Sequence, residues 1–429
     1  MATDWVDCTI ADACSSIDYG LTASANKVDS GAKFLRITDI VSGAIDWNAV
    51  PTVDADAKTL RKYALEHGDV VLARTGASTG ASAYVNHPPE SVFASYLVRL
   101  KAKPEFDSRY LAYYLQSEPF LQYIRGVLGD KSAQPNASAS TMTRAPFRAP
   151  RSLDEQRRIA HILGTLDDKI ELNRRMSQTL EEMARALFKS WFVDFDPVRA
   201  KAEGRDPGLP KHLADLFPDR LIDSDLGEIP EGWEPGTIAA IAALNPESWK
   251  ASTLPEHVEY VDLASTKWGD IDETATYTRE DAPSRARRVL RPGDTIVGTV
   301  RPGNGAFAYI TTDGLTGSTG FAVLRSSRSD DRALCYLAAT NKEAIDALAH
   351  LADGGAYPAV RPEVVLNLPL AISPLDVRSV FDRLCSPWMD AAARNRNEGR
   401  VLATVRSQLL PMLLSEEASH QELSEGNPK

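Results

Sequence analysis

Residues 152–192 read SLDEQRRIAHILGTLDDKIELNRRMSQTLEEMARALFKSWF, and the recurrence of apolar side chains along them decides how the rest of the chain is organised. Ile159, Leu166, Asn173, Leu180 and Leu187 fall at every seventh position, and Ile162, Met176 and Met183 form a second row three residues on, which Lys169 interrupts. Such a stripe is a heptad seam and calls for a partner helix. Asn173 is its informative member: a lone amide in an apolar seam disfavours shifted registers, because a slipped pairing would bury it without a hydrogen-bond partner. About forty residues of helix span roughly 60 Å, the length of a strut.

The partner lies in the same chain. Adding 222 to each seam position gives Phe381, Trp388, Asn395, Leu402 and Leu409, with the asparagine again in the third place. A second stretch repeats without a gap at an offset of 225, where Leu65 to Val85 faces Leu290 to Ile310 with seven identities, among them the Gly-Asp turn (Gly68-Asp69, Gly293-Asp294) and the closing Ala-Tyr. Gln134-Pro-Asn136 likewise faces Tyr357-Pro-Ala359. The simplest account is a duplicated unit, a mixed α/β globule followed by a long helix.

Both copies show short strand patterns, at Phe34–Ile40, Asp69–Arg74, Ala83–Val85 and Phe93–Leu100 in the first, and a helical pattern from Arg109 to Val127 that Gly129 ends. Residues 1–31 read as irregular, and Ser386-Pro387 reads as an interruption of the second strut just before Trp388. The organisation expected is a first globule over 1–150, a first helix over 151–193, an irregular proline-marked connector over 194–236, a second globule over 237–373, a second helix over 374–415 and a polar, disordered tail over 416–429. The fold class is α+β, two pseudo-repeated α/β domains separated by two long helices packed as an antiparallel coiled coil.

The net charge of −11 argues against nucleic-acid binding by bulk attraction, but much of the acid lies in the connector and the tail, which leaves room for local basic faces. Cys8, Cys14, Cys335 and Cys385 form no C-x-x-C pair and sit at no zinc spacing. No basic and apolar leader pattern opens the sequence and no apolar run approaches membrane-spanning length, so a cytoplasmic protein with reduced thiols is expected.

Catalytic signatures are missing. There is no G-x-x-x-x-G-K-[S/T] loop, and Gly303-Asn-Gly305 lacks the third glycine of a dinucleotide fingerprint. Asp167-Asp-Lys169, the nearest nuclease-like signal, has no further carboxylate placed to hold a metal and reads as helix surface charge. Asn245-Pro246 continues as Glu247-Ser248 rather than as a methyltransferase motif.

Binding features are present instead. Arg74, Thr75, Ser78 and Thr79 in the first copy, with Arg301 and Asn304 in the second, lie in corresponding Gly-rich loops, where amides and short hydroxyls suit phosphates and an arginine suits guanine. Arg285, Arg287 and Arg288 form the densest basic run, and Lys131, Gln134 and Asn136, with Tyr357 and Arg361 opposite, form a third polar set near the strut base. Each of these also suits an ordinary turn or a solvated loop.

Leu153-Asp-Glu-Gln-Arg-Arg-Ile-Ala160 with Leu166-Asp167 and Ile170, Ala186-Leu-Phe-Lys-Ser-Trp-Phe-Val-Asp-Phe-Asp196 and Gly227-Glu-Ile-Pro-Glu-Gly-Trp233 together resemble the specificity subunit of type I restriction-modification systems. The resemblance covers nearly the whole chain, duplication included. It implies two target-recognition domains, each reading one half of a split double-stranded DNA sequence, held by the paired helices at a set gap. Successive major-groove faces are about 34 Å apart, a separation that helices of this length can hold. It implies no cofactor on this chain, with S-adenosylmethionine expected on two methylation subunits and ATP and Mg on the restriction (translocase) subunits. Two departures stand out, since Val377-Arg378 occupy the place of Glu155-Gln156 and Pro387 falls inside the second helix. The competing readings are a coiled-coil scaffold without base readout, and an enzyme with an unrecognised nuclease site.

Overall fold

The computed structural model of the protein describes residues 4–26, 30–40, 44–129, 136–352 and 358–415. Lys131, Gln134, Tyr357 and the tail after Ser415, all singled out from the sequence, lie outside these residues. The two struts are helix α1 (Leu153–Phe188) and helix α2 (Leu375–Leu413), of 36 and 39 residues. The chain divides into two compact units, Met1–Leu172 with Gly399–Lys429, and Asn173–Glu398, so each unit holds part of each strut.

In the first unit a four-stranded sheet runs in the order Cys14–Tyr19, Leu97–Ala102, Val70–Ala73 and Ser82–Tyr84. A second sheet orders Thr52–Val53, Ala32–Leu35 and Ser91–Phe93, the last two in parallel. Val70, Val71, Leu72 and Ala73 are all fully buried, so the central strand reads as a continuous apolar run rather than as an alternation. The second unit repeats the four-stranded sheet strand for strand and adds a strand, Ala286–Val289, to the other sheet. Its four-stranded sheet orders Ala242–Leu244, Phe321–Ser326, Thr295–Gly298 and Phe307–Tyr309. Its second sheet again contains one parallel pair, His257–Val261 with Leu315–Ser318. The α+β class and the duplication therefore hold at the level of strand order.

The repeated Gly-Asp turn has a structural cause. Gly68 and Gly293 both take φ +93°, a left-handed conformation that favours glycine. Asp69 then accepts the Glu66 amide at 2.9 Å and lies 3.5 Å from Lys101 Nζ, while Asp294 accepts the Arg291 amide at 2.8 Å and binds Arg325 through two 2.8 Å bonds. Each buried carboxylate thus closes the turn that launches a central strand. Burial pushes the Asp69 carboxyl up, and the Glu66 amide, followed by the cations Lys101 and Arg99, opposes that shift.

Several expectations need revision. The N-terminal region is regular: Trp5–Thr9 pairs antiparallel with Pro146–Pro150, a partner too distant in sequence for any local pattern to announce. Glu234–Thr237 pairs in the same way with Pro369–Ile372 in the second unit. Phe93–Leu100 is two strands, Ser91–Phe93 and Leu97–Ala102, and Phe34–Ile40 is a strand ending at Leu35 followed by a 3-10 turn. The helix expected over 109–127 breaks into Ser108–Tyr114 and Glu118–Leu128, the first capped by Asp107 on the Tyr110 amide. Pro387 does not interrupt the second strut, which runs through it. The proline is exposed, and buried Cys385 and Met389 on either side hold the turn by packing, which offsets the one hydrogen bond that proline removes.

The struts are antiparallel within each unit. Ile159 and Leu163 share a core with Leu410 in the first. In the second, Ser177 Oγ donates to the Ala392 carbonyl at 2.9 Å, and further on Phe188 packs on Phe381. Of the seam, Ile159, Asn173 and Phe381 are buried and Leu166, Leu180, Leu187, Trp388, Asn395, Leu402 and Leu409 are half-buried. The companion row is not Ile162, Met176 and Met183, since both methionines are exposed; it is Leu163, Ser177 and Ala184, four residues on. Small Ser177 and Ala184 permit close approach of the helices, which turns the wider methionines outward. Nor do the two asparagines bond to each other. Asn173 Nδ2 donates to Glu398 Oε2 at 2.9 Å, while Asn173 Oδ1 and Asn395 Nδ2 are buried without a hydrogen-bond partner.

Candidate nucleic-acid interface

Each unit anchors its globule to the struts with the same devices. Gln156 is fully buried: its Nε2 donates to the Pro150 carbonyl at 2.8 Å and its Oε1 accepts the Asp107 amide at 2.8 Å, at the cap of Ser108–Tyr114. Arg378, the residue 222 further on, meets Asp331 Oδ1 at 2.7 Å at the start of Arg332–Thr340. The exchange of Gln156 for Arg378 therefore replaces an amide crosslink by an ion pair at the same joint, and the first turns of α2 are in place. An arginine from a strut also stacks on a tyrosine of each globule. Arg406 lies 5.6 Å from the Tyr113 ring in the first unit, and Arg185 lies 5.8 Å from Tyr336 in the second.

The acidic pair in the first strut belongs to this anchoring. Asp167 accepts the Tyr113 hydroxyl at 2.6 Å and pairs with Arg406, and Asp168 pairs with Arg109 at 2.8 Å. Burial is the main reason the Tyr113 phenol is pushed far above its ordinary value. These carboxylates are committed to positioning the globule, an ordinary use of charge at a helix surface.

The Gly-rich loops lie at the ends of the central strands. In the first unit the loop follows Val70–Ala73, with the Gly76 carbonyl accepting both the Thr79 amide, at 3.1 Å, and the Thr79 hydroxyl, at 2.7 Å. Gly80 takes φ +98° and faces Ile124, where an added Cβ would stand 3.2 Å from its Cγ2, so that glycine serves packing. Arg74 is half-buried. Its guanidinium lies 5.1 Å from the Tyr19 ring and donates to Asn136 Oδ1 at 3.2 Å, and its Nε is left without a partner. An isolated bridge ties Thr75 to Asn136, which brings the Gly-rich loop and the end of the polar loop expected from sequence into one place.

In the second unit the same bridge ties Val300 to Ala359, and Arg301 donates its amide to the Pro358 carbonyl at 2.9 Å. Arg301 is exposed and adopts φ +48°, ψ +57°, a conformation that costs a non-glycine residue on the order of 1–3 kcal/mol. Asn304 is exposed beside it, and Arg361 stands two residues past the bridge. The basic run lies on a different element: Arg287 and Arg288 belong to the edge strand Ala286–Val289, with Arg285 immediately before it. Arg288 is half-buried, donates to Ser248 Oγ at 3.2 Å and is held below its ordinary pKa by desolvation. Ser78 and Thr79 are half-buried in the first loop, and Arg285 is exposed.

Two residues here were not picked out from sequence. Tyr19, 46% exposed, supplies the ring beside Arg74, and Trp268, 60% exposed, lies over Gly305 in the Arg301 loop. Trp268-Gly269 between short strand patterns was the available signal. Among the described residues no group of three or more histidine, cysteine, aspartate or glutamate side chains is placed to hold a metal, and no helix is long and apolar enough to cross a membrane.

Residues 3–182 match the family model of the type I restriction modification DNA specificity domain. The chain is similar to the type I restriction enzyme HindI specificity subunit of Haemophilus influenzae, 27% identical over 273 residues. That match spans 62% of this chain and 53% of the relative, about half its length. It is also similar to the MjaIX specificity subunit of Methanocaldococcus jannaschii, 26% identical over 330 residues that span 74% of this chain and 70% of that one. Among solved structures it resembles the S subunit of a type I restriction-modification system from M. genitalium, with a TM-score of 0.61 and 13% identity across 96% of both chains, a likeness of fold.

Proposed function

We infer that this chain, whose residues 3–182 carry a type I restriction modification DNA specificity domain and whose second half repeats the same strand order, is the specificity subunit of such a system. It selects a bipartite DNA sequence with two recognition domains and scaffolds the subunits that act on it. One observation carries this reading. The two units keep the same order in the four-stranded sheet, the same Gly-Asp turn and the same bridge beneath the loop, yet the loops themselves present unlike side chains: Arg74 with Asn136 and Tyr19 in one, Arg301 with Asn304 and Trp268 in the other. Repeated frames with unlike tips suit two unlike half-sites. A scaffold without base readout gives no reason for the tips to diverge.

Arg74 and Arg301 are the base-reading candidates, because a guanidinium can bind guanine with two hydrogen bonds. Thr75, Ser78, Thr79, Lys131, Gln134, Asn136, Arg285, Arg287, Arg288, Asn304, Tyr357 and Arg361 supply the surrounding phosphate and base contacts. The chain performs no catalytic step. Two methylation subunits bring S-adenosylmethionine and transfer the methyl group, and restriction subunits bring ATP and Mg.

The test is exchange of residues 1–150 for those of another specificity subunit in the reconstituted complex, with methylated bases mapped across genomic DNA. One half of the modified sequence should change and the other should stay. An unchanged sequence would refute the assignment. Arg74→Ala and Arg301→Ala should each weaken cognate binding by roughly 1–3 kcal/mol in the half-site of their own domain.

A further inference from the structure

Trp268 occupies a position that its own chemistry disfavours. It begins the two-residue turn between Thr266–Lys267 and Asp270–Ile271, where Trp268 takes φ +48° and Gly269 φ +95°. Left-handed φ at both central residues is the mark of a type I′ hairpin turn, whose first position ordinarily takes asparagine, aspartate or glycine. A tryptophan there is strained, and its ring is 60% exposed to water. Folding supplies no reason for either.

The hairpin is nonetheless held firmly. The Trp268 amide donates to the Gly305 carbonyl at 2.7 Å and the Gly269 amide to Phe307 at 2.9 Å. One side of the indole meets Phe307 edge to face at 5.8 Å. Gly305 is required beneath it, since a Cβ there would stand 2.5 Å from the ring. At the hairpin's far side Asp270 pairs with Arg396 of α2 at 3.4 Å, and Arg396 also pairs with Glu181 of α1. The exposed face is therefore presented by a braced turn, next to the Arg301–Gly305 loop and one residue from exposed Lys267.

We propose that Trp268 is a specificity-determining residue of the second recognition domain, its exposed indole lying against a base of the duplex half-site that the Arg301 loop contacts. The proposal rests on the DNA-recognition reading above and names a residue of that same surface. The exposed cations of this surface favour a DNA partner over a protein one, because Lys267 beside the ring suits a phosphate and Arg301 suits a base edge. The first unit carries the parallel arrangement from a different element: Tyr19, at the end of Cys14–Tyr19, exposes its ring beside Arg74. An exposed aromatic ring at an arginine-bearing Gly-rich loop thus arises twice, from non-equivalent positions. Shared ancestry of the repeats does not account for that, whereas a shared need at the tip does.

The test uses the reconstituted complex and its target, mapped from methylated bases. Duplexes carrying 5-iododeoxyuridine at successive positions of the second domain's half-site are irradiated, and cross-linked peptides are sequenced. A cross-link at Trp268 is expected. Trp268→Ala should lower affinity for the cognate duplex about tenfold or more, the scale of one lost base-edge contact, with non-cognate binding unchanged and Trp268→Phe intermediate. The melting temperature of each complex confirms that it is folded. Affinity within twofold of the parent and no cross-link at Trp268, while Arg301→Ala still weakens binding, would overturn the proposal and leave the domain's role standing. Loss of subunit assembly by the variants would overturn it in favour of a protein contact. If Arg301→Ala and exchange of the domain both left target choice unchanged, the recognition reading itself would fail.

Discussion

Replacing Arg378 by leucine should cost the second unit about 3–5 kcal/mol, because it strands a buried carboxylate. Asp331 is 1% exposed at its side chain and Arg378 is 15% exposed, with 2.7 Å between them, so water does little to screen the pair or to rescue the acid. For a unit of this size that loss corresponds to a fall in melting temperature of roughly 6–20 °C. The pH dependence identifies the mechanism. Burial already raises the Asp331 carboxyl above its ordinary value, and Arg378 is the largest opposing influence. Without the arginine the folded-state value rises further. The folded protein then binds its proton more tightly than the unfolded chain does, so the deficit is greatest at neutral pH and shrinks as the pH falls through the folded-state pKa. Differential scanning calorimetry of parent and variant complexes at pH 8 and pH 5 reads the difference, since groups common to both cancel. Adding Asp331→Leu should restore most of the loss, because an apolar pair can replace a buried ion pair without penalty. A deficit under 1 kcal/mol, or one that grows in acid, would refute the argument that the joint is held by this charge pair.

Two smaller tests probe the struts and the tip. Asn173→Leu removes the donor to Glu398 together with an unsatisfied Oδ1, so the helix pair should unfold at a higher temperature but hold its register less uniquely, seen as a broadened distance distribution between spin labels on α1 and α2. Gly305→Ala combines a φ of +72° with a Cβ 2.5 Å from the Trp268 indole, and should destabilise the loop by about 1–3 kcal/mol while displacing the ring, detected as a shift in tryptophan emission.

The sequence shows the repeat and the seam because both obey local periods, seven residues within a strut and one fixed offset between copies. It shows less where geometry depends on distant partners. Trp5–Thr9 looks irregular until Pro146–Pro150 is beside it, and the companion row of the seam shifts from Met176 and Met183 to Ser177 and Ala184 because a nearby helix rewards small side chains, which hydrophobicity alone cannot reveal. The arginines of the Gly-rich loops are visible as residue types in corresponding loops. Tyr19 and Trp268 are not, since a ring beside an arginine is a tertiary fact, and the positive φ of Trp268 contradicts what its residue type favours.

Each globule is joined to both struts within its own unit. In the first unit the arginine stacked on Tyr113 comes from α2, and in the second the one stacked on Tyr336 comes from α1. Each globule is thus secured by the helix that follows it, through Gln156 or Arg378, and by the other helix as well. Within each unit both helices hold the globule, so the anchoring residues are constrained by several partners at once, and a change in one of them disturbs more than one element. Arg301 and Asn304 are exposed at their loop, and the Arg74 guanidinium leans on neighbours of its own tip, Tyr19, Ser95 and Asn136. Ion pairs and buried amides are thus concentrated at the joints while unlike side chains are displayed at the Gly-rich loops, the arrangement that the proposed reading of two half-sites requires.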